Sequence, residues 1–225
     1  MAWGTLDRAI VACEIGTLDL PGTTRRVSRC VKATVDLVGA AVLLVLVAPL
    51  LLVLMIGVRL DSPGPAIFRQ ARVGRDGRLF SVYKLRTMVD GADDLKAALL
   101  ADNEYDGLLF KMRRDPRVTR FGALLRRSSL DELPQLVNVL RGEMSLVGPR
   151  PSLPEEAEAM DPATRRRFAV RPGMTGLWQV SGRSNLGWDD AKALDTYYAD
   201  NWTVAGDVRI LLRTVKAVVS ADGAC

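Results

Sequence analysis

The hydrophobic pattern of the chain is dominated by one stretch, residues 37–58, in which no side chain is charged. With a rise of about 1.5 Å per residue, a helix over this stretch would measure about 33 Å, and the hydrocarbon core of a bilayer is about 30 Å thick. Residues 25–36 lead into it with helical spacing. The pattern therefore predicts a membrane helix.

Two features of this stretch argue against a simple span. Pro49 lies near its centre, where it lacks a backbone donor, clashes with the carbonyl of Val45 and moves Ala48 away from helical angles. Basic residues flank the stretch on both sides: Arg25, Arg26, Arg29 and Lys32 before it, and Arg59, Arg69, Arg72, Arg75 and Arg78 after it. Because basic flanks stay in the cytoplasm, we expect a re-entrant helix hairpin broken at Ala48-Pro49. A kinked span and a buried soluble core helix are the alternatives.

The rest of the chain predicts a mainly α fold with a small β-hairpin, an α+β domain. The sequence D-S-P-G-P at 61–65 indicates a turn, and extended segments at 66–73 and 78–84 are joined by the turn sequence G-R-D-G. Helical spacing occurs at 91–100, 118–127, 129–140, 155–167 and 207–219, whereas glycines make 171–183 irregular. The last helix is basic and amphipathic, so it lies either in the membrane interface or on the core of the domain.

Composition narrows the chemistry. The chain has 225 residues, a net charge of +5 and no histidine, which excludes histidine bases, nucleophile activators and metal ligands. Its three cysteines are not closely paired, as in a reducing cytoplasm. The basic charge suits an anionic partner. We expect a short N-terminal segment over 1–30, the membrane hairpin over 31–60 and one catalytic domain over 61–225.

The candidate reactive residues are Asp131 and Glu132 in S-L-D-E at 129–132. Ser129 and Glu132 form an S-x-x-E pattern, which by itself predicts a capping box for a helix that runs to about Leu140. A carboxylate in a first helical turn also stays ionised, beside N–H groups that attract phosphate. Adjacent helical residues point about 100° apart. The two carboxylates would therefore take separate roles, one attacking and one acting as a base or holding Mg²⁺.

A second candidate is the sequence G-P-R-P at 148–151, which holds Arg150 between Pro149 and Pro151. Two prolines make the loop rigid, so the guanidinium is preorganised to bind a phosphate or carboxylate. A surface turn with an incidental arginine is the alternative. The glycine-rich segment 171–183, which carries Trp178, is a further candidate for ligand contact.

These motifs together resemble the bacterial sugar transferases, the monotopic polyprenyl-phosphate phosphoglycosyl transferases. The resemblance covers about 31–219 and is carried by the apolar run broken at Ala48-Pro49, D-S-P-G-P at 61–65, Y-K-L-R-T-M at 83–88, D-P-R-V-T at 115–119, S-L-D-E-L-P-Q-L-V-N-V-L-R-G-E-M-S-L-V-G-P-R-P at 129–151 and R-P-G-M-T-G-L-W-Q-V-S-G-R at 171–183. Relatives commonly carry serine where this chain has Ala48.

The resemblance implies a ping-pong transfer of sugar-1-phosphate from a UDP-sugar to undecaprenyl phosphate, with release of UMP. Asp131 resembles the nucleophile, with Glu132 as its partner carboxylate and Mg²⁺ as the cofactor, which Asp131 would contact. Phosphate binding is implied for Lys84, Arg86, Arg126, Pro149, Arg150 and Pro151.

The resemblance also implies a place in the cell. The chain would be a monotopic protein of the cytoplasmic (inner) membrane, in contact with its lipids, with the catalytic domain and both termini facing the cytoplasm. No nucleic-acid partner is expected, and a homodimer is one option for its assembly.

Two other functions fit parts of the sequence. One is a glycosyltransferase that makes a glycosidic bond and releases UDP, although the chain contains no D-x-D tripeptide, P-loop or G-x-G-x-x-G. The other is a non-enzymatic membrane anchor or lipid-binding scaffold, in which Asp131 and Glu132 only cap a helix.

Overall fold

The computed structural model describes residues 22–96, 112, 115–182 and 187–220. Within these, the helices are α1 (Gly22–Asp61), α2 (Ala92–Lys96), α3 (Arg120–Arg127), α4 (Gln135–Leu140), α5 (Pro154–Glu158), α6 (Leu177–Val180), α7 (Trp188–Asp200) and α8 (Val204–Ser220). The strands are β1 (Ile67–Val73), β2 (Leu79–Leu85), β3 (Ser145–Val147) and β4 (Gly173–Thr175). Turns of 3₁₀ helix lie at Arg75–Gly77, Leu130–Glu132 and Thr164–Ala169. This confirms a mainly α fold with a small β-hairpin.

Helix α1 contains the apolar stretch and is long and apolar enough to cross a membrane. The most apolar 18-residue window of its segment Ser28–Asp61 has a mean hydropathy of 3.1, and only 11% of that window is buried in the protein. A core helix of a soluble protein would be mostly buried, so this exposure disfavours that alternative. The helix continues without interruption through Pro49, where the sequence predicts a break. The re-entrant course stays a prediction, as does the domain division at residues 30 and 60.

One face of α1 packs against the rest of the domain on both sides of Pro49. Before the proline, Ala40 is buried in a cluster with residues of α4 and β3, and after it Leu54 and Val58 are buried in a second cluster with Leu85 and Leu125. The opposite face carries exposed apolar side chains at Val42, Val45, Leu46, Leu52, Val53 and Ile56. The outward face of the helix is thus apolar, and its inner face packs against the domain.

The β-hairpin is confirmed. Strands β1 and β2 pair antiparallel around the turn Arg75–Gly77, and two residues of that turn, Asp76 and Gly77, have positive φ angles of 58° and 76°. Lys84 pairs with Phe68, and Arg72 pairs with Phe80. Since side chains alternate between the two faces of a strand, Lys84 and Arg72 lie on the same face of the hairpin.

A second, parallel sheet of β3 and β4 was missed, because strands of three residues beside glycine and proline give no periodic signal. Gly148 and Gly173 allow the two segments to meet, since a Cβ on Gly173 would lie 2.0 Å from the Gly148 nitrogen. Residues 171–182 are thus more regular than predicted, with β4 and α6 inside them. Arg183 lies outside the described residues.

Some of the other predicted helices are confirmed, and others differ in length or type. The helix over 118–127 is confirmed as α3. The helix over 155–167 is instead α5 followed by a 3₁₀ turn, and only Ala92–Lys96 of 91–100 lies in a described helix. α8 confirms the C-terminal helix, and its buried Ile210 packs in the core of the domain. Its Val208, Leu212 and Val215 are exposed, and their contact with the membrane stays a prediction. Residues 1–21, the main part of the expected N-terminal segment, lie outside the described residues.

Candidate functional site

Asp131 lies in the 3₁₀ turn that follows α3, and its local backbone differs from the predicted capping box. Ser129 adopts a left-handed conformation with φ of 55° and makes no side-chain cap hydrogen bond, so the capping box is wrong. Leu130 and Leu133, on either side of the acidic pair, pack against the cluster around Leu125. Strained backbone at a non-glycine residue is commonly found at functional sites. Packing therefore fixes a turn that presents Asp131 and Glu132 together.

Asp131 is 8% exposed, and burial raises the pKa of its carboxyl group to about 6. The positive charges of Lys84 and Arg126 act in the opposite direction, and the Glu132 carboxylate adds to the increase. A first-turn position was expected to favour the ionised form of Asp131, but its pKa is raised, because loss of hydration outweighs the nearby cations. The group titrates close to neutral pH, which is typical of functional carboxylates.

Glu132 is paired with Lys84. Nζ of Lys84 lies 2.7 Å from Oε1 of Glu132, and about a third of each side chain is exposed. Lys84 stands on β2, so the pair connects the hairpin to the turn after α3. Solvent reaches this pair, whereas Asp131 beside it is buried.

Arg126 is positioned by a close approach between α3 and the segment that follows β2. Its Nε donates to Oγ1 of Thr87 at 2.9 Å. Gly122 makes this approach feasible, because a Cβ at that position would lie 2.0 Å from the carbonyl oxygen of Thr87. Burial lowers the pKa of Arg126 and the nearby Asp131 carboxylate raises it. Arg126 thus acts on the Asp131 carboxylate by its charge, while its Nε already donates to Thr87.

Arg86 has a different environment. Its side chain is 6% exposed, and all three guanidinium nitrogens donate to carbonyl oxygens, at 2.6–2.8 Å, in the turn that follows α1. The acceptors are those of Ser62, Pro63 and Pro65. These contacts hold the D-S-P-G-P turn closed, so we leave Arg86 out of the phosphate site proposed below.

Arg150 lies at the end of β3 with its side chain 26% exposed. Its Nη1 is 3.2 Å from Oε2 of the buried Glu156, and its guanidinium carbon is 5.8 Å from the centre of the Trp178 ring. Arg72 connects this loop with the hairpin, since its Nη1 donates to the Pro151 carbonyl oxygen at 3.0 Å and it lies on the same hairpin face as Lys84, the partner of Glu132. The structure therefore brings Lys84, Arg126, Asp131, Glu132, Arg72 and Arg150 to one region.

Sequence reasoning missed several residues of this region. Four residues form hydrogen bonds with a predicted site residue or with its loop: Thr87, Arg72, Glu156 and Arg167. In the sequence, Arg72 stands out only as part of the basic flank after the apolar stretch. No local pattern marks these residues, because their partners are distant in sequence.

The donor set suits one kind of metal ion. In the described part of the chain, no group of three or more Asp, Glu, His or Cys side chains is arranged to hold a metal. Mg²⁺ needs fewer, because it keeps several water ligands and binds through one or two carboxylates together with substrate phosphates. Asp131 and Glu132 fit that requirement.

A buried carboxylate among cations, carried by a domain on a long apolar helix, defines a membrane-associated protein with a site for anionic ligands. Residues 27–221 match the family model described as bacterial sugar transferase. The chain belongs to that family.

Curated relatives include the undecaprenyl-phosphate galactose phosphotransferase of Salmonella typhimurium, which is 44% identical over 89% of this chain and 43% of its own length. The UDP-glucose:undecaprenyl-phosphate glucose-1-phosphate transferase of Caulobacter vibrioides is 43% identical over 86% of this chain and 71% of its own. The exopolysaccharide production protein ExoY of Rhizobium meliloti is 39% identical over 90% and 91% of the two chains. The chain spans less than half the length of several curated relatives that it matches.

Proposed function

We propose that the chain transfers a sugar-1-phosphate from a UDP-sugar to undecaprenyl phosphate, as the first membrane step in the assembly of a bacterial glycan such as an exopolysaccharide, an O-antigen, a capsule or the glycan of a glycoprotein. The names of the Salmonella and Caulobacter relatives support this donor and acceptor chemistry. The observation that carries the proposal is Asp131, a buried carboxylate whose pKa is raised to about 6 and which adjoins Lys84, Arg126 and Glu132.

In the first step, a carboxylate oxygen of Asp131 attacks the phosphorus that bears the sugar. The bond between this phosphorus and the bridging oxygen breaks, and UMP leaves with that oxygen and the electron pair. The sugar-1-phosphate is then joined to Asp131 as an acyl phosphate. Because the pKa of Asp131 is about 6, the group is mostly ionised at neutral pH, and its burial leaves the attacking oxygen poorly hydrated.

In the second step, a phosphate oxygen of undecaprenyl phosphate attacks the same phosphorus. The bond to Asp131 breaks, the carboxylate is restored, and a polyprenyl-diphosphate sugar is released. Glu132 is paired with Lys84 at 2.7 Å and is about one third exposed. It would act on the acceptor or contact the metal from this exposed edge of the site. Two steps on one carboxylate give ping-pong kinetics.

Charge neutralisation falls to the basic residues. Two anions must approach each other in each step, so cations around the phosphates lower the barrier. Lys84, Arg126 and Arg150 are the residues we assign to this task, with Pro149 and Pro151 fixing the loop that carries Arg150. Mg²⁺, when bound, would be held by Asp131 and Glu132 and would neutralise further phosphate charge.

The apolar helix packs on the same domain both before and after Pro49, which favours a re-entrant course. Ala40 before Pro49 and Val58 after it are both buried against that domain. A helix standing upright across the bilayer would carry this domain, with Arg126 and Asp131, into the hydrocarbon, where charged groups are costly. We therefore propose a monotopic protein at the inner face of the cytoplasmic membrane, and tags at either terminus should be accessible only from the cytoplasm. A periplasmic tag would contradict this.

Product analysis tests the proposed reaction. Membranes containing the chain are incubated with a panel of UDP-sugars and undecaprenyl phosphate, and nucleotide products are measured. We expect UMP to form with at least one UDP-sugar, even before the acceptor is added, in an amount that matches the protein. Release of UDP would instead indicate a glycosidic transfer, and absence of any nucleotide product would favour the non-enzymatic anchor.

A further inference from the structure

The loop that carries Arg150 has an unusual set of backbone contacts. All four carbonyl groups of residues 149–152 accept a hydrogen bond, and each bond has a different donor residue: Gly173 N, Arg167 Nη2, Arg72 Nη1 and Val73 N, at distances of 2.8, 2.6, 3.0 and 2.8 Å. Because two of the four residues are proline, the loop has few N–H groups of its own to fix its shape. Its conformation therefore depends on donors from elsewhere in the domain.

Two of the four donors are guanidinium groups, which lie on either side of Arg150 along the chain. Arg167 donates to the carbonyl oxygen of Arg150, and Arg72 donates to that of Pro151. Arg72 is held in turn by Gln70, whose side-chain oxygen accepts from Nε and Nη2. Burial and the neighbouring Arg150 charge lower the pKa of Arg72 to about 10, which leaves it protonated at neutral pH.

Arg167 is fully enclosed. Its side chain and that of its partner Asp195 are each 3% exposed, and the same Nη2 atom contacts both Asp195 and the Arg150 carbonyl. Burying an ion pair of this kind rarely stabilises a fold more than apolar packing of the same volume would. What the pair does achieve is a fixed position for the donor, because Asp195 orients the planar guanidinium.

The side chain of Arg150 is restrained as well. Glu156, which is 1% exposed, contacts the Arg150 guanidinium and also accepts from the backbone N–H of Leu153 at 2.8 Å. Arg150 nevertheless keeps 26% of its side chain exposed. The backbone and the side chain of Arg150 are therefore both restrained, while part of the guanidinium side chain stays exposed. Such a cation is preorganised for an anionic ligand.

We propose that Arg72 and Arg167 are positioning residues that clamp the backbone of the 149–152 loop and thereby aim Arg150 at the phosphate groups of the UDP-sugar. Neither arginine contacts the substrate in this assignment. Asp195 fixes Arg167, and Gln70 fixes Arg72. The inference rests on the proposed phosphosugar transfer.

A double-mutant cycle tests the clamp, with kcat/KM for UMP release from UDP-galactose and UDP-glucose as the readout. Arg167→Lys and Arg72→Lys keep the charge but lose the planar fork, so we expect kcat/KM to fall roughly tenfold to hundredfold from misplacement of Arg150. In an Arg150→Ala background the same substitutions should have almost no further effect. Arg166→Lys and Arg75→Lys are the matched controls, since both of these arginines are more than half exposed and pair with surface aspartates.

Additive losses in the Arg150→Ala background would overturn the clamp, because they would show that Arg72 and Arg167 act independently of Arg150. If Arg167→Lys fails to fold, as judged by its melting temperature, the half-buried Arg72→Lys carries the test alone. Hydrogen exchange at the Arg150 and Ser152 amides gives a readout without turnover: it should speed up in both clamp variants and in neither control. Failure of the proposed reaction would appear separately, as wild-type protein that releases no UMP.

Discussion

The ammonium group of Lys84 lies 2.7 Å from a carboxylate oxygen of Glu132, and the same charge lowers the pKa of the neighbouring Asp131. One lysine from the hairpin thus serves two adjacent carboxylates in different ways. Glu132 is paired and partly exposed, whereas Asp131 is buried and keeps a raised pKa because loss of hydration is the larger effect. This difference between neighbours is what separates their proposed roles.

The pH dependence of UMP formation follows from the raised pKa of Asp131. Only the ionised carboxylate attacks, so kcat/KM should fall as the pH decreases through about 6, the pKa of the group in the free protein. The measurement is the initial rate at subsaturating UDP-sugar across pH 5 to 9, with protein stability checked at each pH. A kcat/KM that stays constant down to pH 5 would contradict a raised pKa for the nucleophile.

Replacing Lys84 should raise the pH at which kcat/KM falls. In Lys84→Met the charge that lowers the pKa of Asp131 is gone, so the pKa rises further and the loss of activity at neutral pH should partly recover at higher pH. The pH profile of kcat/KM measures this shift. Arg75→Met, which removes an exposed cation at the tip of the same hairpin, is the control and should leave the profile unchanged.

Asp131→Asn should separate activity from stability. The variant lacks the nucleophile, so UMP release should fall by roughly three orders of magnitude or more. Near-normal turnover in this variant would rule out the covalent mechanism.

The stability of Asp131→Asn should move in the opposite direction. The folded protein binds the Asp131 proton more tightly than the unfolded chain does, so the contribution of Asp131 to wild-type stability is greatest below pH 3.8 and is lost as the pH rises through about 6. At pH 7.5 the neutral amide avoids this cost, and we expect the free energy of unfolding to increase by about 1 to 3 kcal/mol. Thermal melts at pH 7.5 and pH 4 should show a gain that disappears at the lower pH, and the exposed Asp76→Asn should show none.

Gly122→Ala should weaken both fold and site. The new methyl group would lie 2.0 Å from the carbonyl oxygen of Thr87, so α3 must shift away and the hydrogen bond from Arg126 to Thr87 is disturbed. We expect a loss of about 1 to 3 kcal/mol in stability, together with a lower kcat/KM in the folded fraction. Melting temperatures and rates of UMP release check this, with the exposed Ala123→Ser on the same helix as the control.

Arg86→Lys distinguishes a structural from a phosphate-binding role. One ammonium group cannot replace three hydrogen bonds to the turn after α1, so stability should fall by roughly 2 to 4 kcal/mol. KM for the UDP-sugar should stay unchanged in the folded protein. A raised KM at an unchanged melting temperature would restore Arg86 to the phosphate site.

Much of the architecture could be predicted from local pattern. The uncharged run at 37–58, the turn G-R-D-G between two extended segments and the spacing of 118–127 each act within a few residues, so their elements could be located without tertiary information. The strands β3 and β4 could not, because they are short and exist only through pairing across 28 residues, from Ser145 to Gly173.

The candidate site divides in the same way. The sequence by itself determined which groups are present: two adjacent carboxylates, an arginine between two prolines, basic flanks around an apolar helix, and no histidine. Only the tertiary structure decided their states. Burial raises the pKa of Asp131, whereas a helix N-terminus favours the ionised form, and the Arg86 guanidinium donates to carbonyl groups instead of facing the site. Hydration and hydrogen bonding depend on neighbours distant in sequence, so no local pattern records them.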